Sequence, residues 1–285
     1  MVDLHTHSNA SDGDLSPALL IREAAKKGIS AIALTDHDTL SGLEAAETEA
    51  KAAGIRFIPG IEMSINWTGS AEVCGIGPGG EFHLLGLNLQ SPSPGFLAAI
   101  EELSRRRETR NREILERMNE LSIEATWEEV LALSGGKLVA RPHFAHLLVN
   151  KKVAKNREQA FDRYLKPGKP LYVPKASLTF EEAAALIRES GGICVLAHPM
   201  SLYVAWGRLP ELIKTLKDRG LMGIEAWHPT AQKKSCQRLE NLCRELKLYI
   251  TEGSDFHGSF RPDRYLGYSH QGRMISDAIL EALPF

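Results

Sequence analysis

The stretch AIALTDHDTLSGLEAAETEAKAAGIRFIPGIE, residues 31–62, carries the reading of the fold. Residues 31–34 form a short apolar run that stops at the polar TDHD of 35–38, which reads as a buried strand ending in charge. Residues 41–53 follow with helical spacing. Ser41 and Glu44 there fit a capping box, in which two side chains satisfy otherwise unpaired amides at a helix start. Residues 56–65 are again β-rich and end near Glu62. The same alternation runs back to the N-terminus: residues 2–4 read as a strand, and Pro17, directly after Ser16, opens a helix over 17–27.

The βα rhythm returns after residue 176. Thr179 with Glu182 caps a helix, and residues 193–196, 223–226 and 249–251 read as strands with helices between them. Residues 91–175 differ. They open with SPSPG, close with Pro167, Pro170 and Pro174, and are otherwise helical, with a Thr126/Glu129 capping box. The expected organisation is an α/β barrel made of residues 1–90 and 176–285, interrupted by a helical insertion over 91–175. A parallel barrel is preferred to an open sheet because the polar residues gather at strand ends: His5 and His7, Asp36 to Asp38, Glu62, His198, His228, and Asp255 to His257. No internal repeat or low-complexity tract interrupts this pattern.

With 43% hydrophobic and 25% charged residues over 285 positions, the chain has the composition of a folded protein. A formal net charge of -2 provides no global field for nucleic acid, so an anionic substrate must be held by local positive charge or by metal ions. Cys74, Cys194, Cys236 and Cys243 form no CxxC pair and read as reduced thiols. The N-terminal segment lacks the pattern of a secretory leader, and no stretch is long enough to cross a bilayer. A soluble, cytoplasmic protein is expected, with no membrane and no stable protein partner.

His5 and His7, one residue apart at a strand end, project to the same side and could share one ion. An isolated HxH is weak evidence. Here it is joined by Asp12 in SNASDG, His37 in TDHD, Glu62 in PGIE, His83 in HLLG, His198 in LAHP, and Asp255 and His257 in GSDFH, each beside a strand-like run. Any one of these could cap a helix or be a hydrogen-bonded core residue. Nine at successive strand ends point to a metal centre. Imidazole and carboxylate without thiolate suit Mn, Fe, Zn or a similar divalent ion.

In this order, the HxH, SDG, TDHD, GIE, AHP and GSDFH segments resemble the motifs of the PHP (polymerase and histidinol phosphatase) family. The resemblance implies a distorted (β/α)7 TIM-like barrel with three divalent metal ions, Mn foremost and Fe or Zn as alternatives. It assigns His5, His7, Glu62 and Asp255 to the first ion, Asp12, His37 and His257 to the second, and Glu62, His83 and His198 to the third. Close divalent ions lower the pKa of a bound water, clamp phosphoryl oxygens and stabilise the departing alkoxide, as phosphoester hydrolysis requires.

Basic residues offer a reader of substrate. In SRRRETRNRE, Arg107 and Arg110 are three apart and share a helix face, whereas Arg105, Arg106 and Arg112 point partly elsewhere. Arg141 and His143 in ARPH and Lys175 in YVPKAS add further candidates, since guanidinium groups match phosphate oxygens in bidentate fashion. His228 in WHP is a candidate to touch phosphate or protonate a leaving group, or else a structural histidine at the rim. His146 and His270 carry no such signal.

The RxxRN, ARPHFA, AFDRYL and YVPKAS segments resemble the branch of that family that includes 3',5'-nucleoside bisphosphate phosphatases, related to small-oligonucleotide exoribonucleases. This implies removal of the 3'-phosphate from compounds such as adenosine 3',5'-bisphosphate, giving the 5'-mononucleotide and phosphate. Short oligonucleotides and histidinol phosphate are the alternative substrates. A non-catalytic, metal-stabilised binding module is the alternative of another class, and the intact ligand pattern argues against it.

Overall fold

A computed structural model describes residues 1–66, 80–134 and 138–285. Seven strands lie side by side in chain order: β1 (Val2–Asp3), β2 (Ala31–Leu34), β3 (Arg56–Ser64), β4 (His83–Leu87), β5 (Ile193–Leu196), β6 (Gly223–Trp227) and β7 (Tyr249–Glu252). A parallel bridge between Thr6 and Phe256, with the His7 amide donating to the Phe256 carbonyl at 2.9 Å, brings the β7 end back to the β1 end. The sheet is thus a nearly closed barrel. Buried Asp3 ties the seam, accepting from the Ser254 amide and hydroxyl and from the Gly267 amide.

One strand departs from the parallel expectation. β4 runs antiparallel to both β3 and β5. A strand reversed in a parallel barrel presents its first residue at the rim where its neighbours present their last ones. That is why His83, at the start of β4, reaches the same rim as Glu62 in β3 and His198 after β5. The antiparallel step pairs Ser64 with His83 and Glu62 with Leu85.

Helix starts follow the sequence in three cases and not in a fourth. Ser16 accepts from the Leu19 amide ahead of Pro17–Lys26, and capping boxes close at Thr126/Glu129 and Thr179/Glu182. The Ser41/Glu44 box does not form. The helix begins at Leu43 with Gly42 as its cap in αR geometry, so Ser41 lies outside it and its amide bonds Thr39 Oγ1 instead.

Residues 91–175 hold the helices Pro94–Glu120, Trp127–Leu133, Arg141–Asn150 and Arg157–Ala160. The first spans about 40 Å at ~1.5 Å per residue. Its N-terminal half buries Phe96 with Phe180, Ile187 and the outer face of the barrel, whereas Ile114 and Met118 join a separate apolar cluster with Phe144, Leu148, Leu165 and Val173. Each such buried side chain contributes roughly 1.5–3 kcal/mol. One helix therefore links two cores, and its middle, where Arg107 and Arg110 lie, passes the barrel rim. Cys194, Cys236 and Cys243 are buried free thiols, and Cys74 lies outside the described residues. Among the described residues no helix is long and apolar enough to cross a membrane.

Candidate metal centre

All nine sequence candidates converge at one rim. His5 Nε2 and His7 Nε2 are 3.1 Å apart, and each is 3.1 Å from Glu62 Oε2. Asp255 Oδ1 lies 3.5 Å and 3.2 Å from the same two nitrogens. On the other side of Glu62, Oε1 is 2.8 Å from both His83 Nδ1 and His198 Nε2, which are themselves 3.3 Å apart. Asp12 Oδ1 lies 3.3 Å from His257 Nε2, 3.9 Å from His37 Nε2 and 3.8 Å from His7 Nδ1. Atoms that share one ion at ~2.0–2.2 Å lie about this far from one another.

Two features distinguish this cluster from an ordinary hydrogen-bonded group. Among the described residues the ring nitrogens His7 Nδ1 and His37 Nδ1 are buried without hydrogen-bond partners, His37 Nδ1 lying 3.2 Å from Glu62 Oε2 outside hydrogen-bond geometry. Such orphans are costly unless another ligand satisfies them. Several imidazoles also turn one nitrogen into the cluster and anchor the other: His5 Nδ1 on Glu225 Oε1 at 2.9 Å, His198 Nδ1 on the Ser201 hydroxyl at 2.6 Å, and His257 Nδ1 on the Asp255 carbonyl at 2.8 Å. Anchoring of this kind fixes ring orientation and tautomer around metal ions. The donor set and its spacing fit divalent ions.

The electrostatics agree. Burial alone would raise the carboxyl pKa values, but the surrounding imidazoles outweigh it and hold Glu62 and Asp12 well below the usual carboxylate range. Asp255 is held down likewise, by the Arg264 guanidinium and then by His5 and His257. Burial pushes His37 down to about 3, whereas Asp255 and Glu62 overcome burial at His7 and push it up to about 10. Three ionised carboxylates enclosed at one rim attract cations.

The rim is built from local strain as well as strand ends. Asp38, His198 and Asp255 have φ of 50°, 27° and 49°, in a region L-residues rarely occupy. Asp36 accepts from the Ser8 amide and hydroxyl and from the Ser11 hydroxyl, which holds the loop that carries Asp12. A Cβ on Gly253 would stand 2.3 Å from His5 Cβ and 2.7 Å from Glu225 Oε1. Gly253→Ala is therefore expected to cost about 1–3 kcal/mol by overpacking. A thermal melt of the variant indistinguishable from wild type would contradict this close approach.

The basic candidates divide. Arg107 and Arg110 are buried on the inner face of their helix, whereas Arg105, Arg106 and Arg112 are exposed and pair with Glu102 and Glu108. Arg107 is bound to buried Asp38, which also takes Lys175 Nζ at 2.6 Å and the Ser64 amide at 2.9 Å. Burial lowers Lys175 to about 8, against the pull of Asp38. Among the described residues Arg110 bonds only Asn111 Oδ1, at 2.6 Å, and no carboxylate lies within ion-pair distance of it. Burial first, then Arg141 and Arg107, push it down to about 9. Arg141 itself stacks 5.4 Å over Tyr172.

His143 and His228 have one nitrogen committed. His143 Nδ1 accepts from the Ala140 amide at 2.9 Å, so the neutral ring carries its proton on Nε2. His228 Nδ1 accepts from the Thr230 amide, and its Nε2 lies 3.1 Å from Asp255 Oδ2. The sequence reading missed two residues here. Glu225 is an acid in the middle of the buried strand GIEAW, a visible signal; it bonds both His5 and the His198 amide. Arg264, paired with Asp255, lies in a polar loop with nothing local to mark it.

The PHP domain family matches residues 3–173, more than half of the chain. This chain belongs to the PHP domain family. It is a metal-dependent phosphoesterase, a hydrolase of phosphate esters. It is 35% identical over 255 residues to a 5'-3' exoribonuclease of Haemophilus influenzae, covering 90% of this chain and 89% of that protein. It is 30% identical over 269 residues to a 3',5'-nucleoside bisphosphate phosphatase of Chromobacterium violaceum, covering 94% and 91%. Among solved structures, one assigned as a metal-dependent phosphoesterase of Bifidobacterium adolescentis superposes with a TM-score of 0.83 at 26% identity, covering 99% of this chain and 95% of that one.

Proposed function

We propose that this PHP protein removes the 3'-phosphate from 3',5'-nucleoside bisphosphates, releasing the 5'-mononucleotide and phosphate. Three divalent ions, Mn foremost with Fe or Zn as alternatives, are held by His5, His7, Glu62 and Asp255, by Asp12, His37 and His257, and by Glu62, His83 and His198. Bound there, such ions supply a nucleophile near neutral pH and offset charge on the phosphoryl oxygens. Residues 91–175 act as the substrate-reading insertion in a barrel of residues 1–90 and 176–285.

The observation that carries the substrate assignment is Arg110, a buried guanidinium that pairs with no carboxylate among the described residues, beside Arg107 and Arg141. An uncompensated buried cation is costly unless an anion completes it. The non-reacting phosphate of the substrate fills that role, bound by Arg110 and Arg141 with Lys175 at its edge. Arg107, locked to Asp38, positions the others. His143 Nε2–H is free to donate to a substrate oxygen. His228 keeps Asp255 aimed at the first ion and is a positioning residue. Relatives named for nucleoside bisphosphate phosphatase and exoribonuclease activity both support a nucleotide with more than one phosphate. A neighbouring solved structure, an amidohydrolase from Chromobacterium violaceum with sulfate bound, supports an anion-binding site in this fold.

The test is a comparison of kcat/KM on adenosine 3',5'-bisphosphate, short 5'-phosphorylated oligonucleotides, histidinol phosphate and p-nitrophenyl phosphate. The bisphosphate is expected to rank first. Arg141→Ala should lower its use by about ten-fold or more, the worth of one charge-assisted hydrogen bond, and alter p-nitrophenyl phosphate turnover far less. Efficient hydrolysis of histidinol phosphate with none of the nucleotides would overturn the substrate; equal losses on both esters would remove Arg141 from phosphate reading.

A further inference from the structure

Two loops from opposite ends of the chain supply most of the second ligand cluster. Asp12 stands in the turn that follows β1, His257 stands in the loop after β7, and Asp12 Oδ1 lies 3.3 Å from His257 Nε2. Neither residue belongs to a strand, so strand pairing does not set their separation. Asp36 holds the front of the first loop through Ser8 and Ser11. Its back is held by Asp14. The Asp14 amide donates to the His257 carbonyl at 3.3 Å, and Asp14 Oδ2 accepts from the Ser259 amide at 2.7 Å, so the two bonds straddle Gly258. Gly258 has a φ of 67°, and a Cβ there would overlap Asp14 Oδ1. A glycine at this position is what lets the carboxylate lie against the chain directly after His257.

We infer that Asp14 is the positioning residue of the second ion, holding Asp12 and His257 at the spacing that one ion requires. The inference rests on the proposed function, in which Asp12, His37 and His257 share that ion. Asp14 lies two residues beyond Asp12, and Ser259 lies two beyond His257, so their bond clamps the two loops just behind the two ligands. A backbone amide bound to a carboxylate is a charge-assisted bond, shorter and stronger than a neutral one. Asp14 Oδ1, in contrast, is buried and has no hydrogen-bond partner among the described residues. An unpaired buried oxygen costs stability, so geometry rather than stability is what this side chain contributes. The other two ions do not depend on the clamp. Glu62 and His83 stand on the paired strands β3 and β4, and Asp255, although it shares a loop with His257, is fixed separately by His228 and Arg264. Removing a group that orients ligands from behind typically weakens metal binding by roughly 10- to 100-fold, and here the loss falls on one ion.

The experiment counts Mn bound per chain after equilibrium dialysis against rising Mn, beside a circular-dichroism melt of each sample. Wild type is expected to fill three sites. Asp14→Ala should fold, fill two sites as wild type does, and need about ten- to a hundred-fold more Mn for the third. Asp14→Asn keeps an oxygen that accepts from the Ser259 amide and should recover most of that loss. His257→Ala removes a ligand of the same ion, so adding Asp14→Ala to it should cost no further ion. Asp14→Ala that loads like wild type, weakens all three sites alike or fails to fold overturns the role of Asp14 and leaves the proposed function standing. So does Asp14→Asn that loads as poorly as Asp14→Ala, or loss of a second ion from the double variant. Wild type that saturates below three ions overturns the metal assignment of the proposed function and this inference with it.

Discussion

Replacing Glu62 with Gln is expected to lower phosphoesterase turnover by roughly 10³-fold or more while the barrel stays folded. Gln keeps the shape of the side chain and removes its charge. Glu62 is buried and touches five imidazoles, with His5, His7 and His37 at one oxygen and His83 and His198 at the other. Its carboxylate is thus common to the first and third proposed ion sites. Losing it removes charge stabilisation worth several kcal/mol, and each ~1.4 kcal/mol is ten-fold in rate. The backbone role of the residue is untouched: its amide donates to the Asp36 carbonyl, and its carbonyl accepts from the Asp38 amide. Phosphate release measured beside a circular-dichroism melt checks both halves. Activity within ten-fold of wild type in a folded variant would contradict the bridging role.

The second large effect combines stability and function in opposite directions. Arg110→Met is expected to lower kcat/KM on nucleoside bisphosphates by about ten- to a hundred-fold while raising the melting temperature. The guanidinium is buried, crowded by Arg107 and Arg141, and bonded among the described residues only to Asn111. Arginine remains charged in proteins, so its depressed pKa expresses the cost of holding that charge without a partner. Met fills similar volume with apolar atoms. Relief of about 1 kcal/mol would raise Tm by roughly 2–4 °C. Loss of activity follows from one or two missing charge-assisted bonds to phosphate. A variant both less stable and equally active would show that Arg110 is structural.

The barrel could be read because βα units announce themselves: apolar runs such as residues 31–34 stop at charge, and Ser16, Thr126 and Thr179 cap helices as their side chains predict. The direction of β4 could not. Periodicity reports which residues face inward but not which way a strand runs, and His83 looks the same at either end. The Ser41 capping box failed for a related reason, since spacing cannot tell whether the chain turns helical at once or, as here, after Gly42. At the site, chain position marked nine residues that the fold brings together at one rim, because each stands beside a strand. It missed Glu225 and Arg264, which act through His5, His198 and Asp255. Such partners are chosen by proximity in the folded state. The division between Arg107 and Arg110 was likewise hidden: both share the buried face, yet among the described residues only Arg107 meets an acid.

The most direct test of the account is the metal content of one protein sample, measured by mass spectrometry beside its phosphoesterase activity as Mn is removed by chelation and titrated back. The account predicts that turnover vanishes with the metal and returns as loading approaches three ions per chain, and that Glu62→Gln binds fewer ions at every concentration. Phosphoester hydrolysis that persists after the chain is stripped of metal, or full loading of Glu62→Gln, would contradict it.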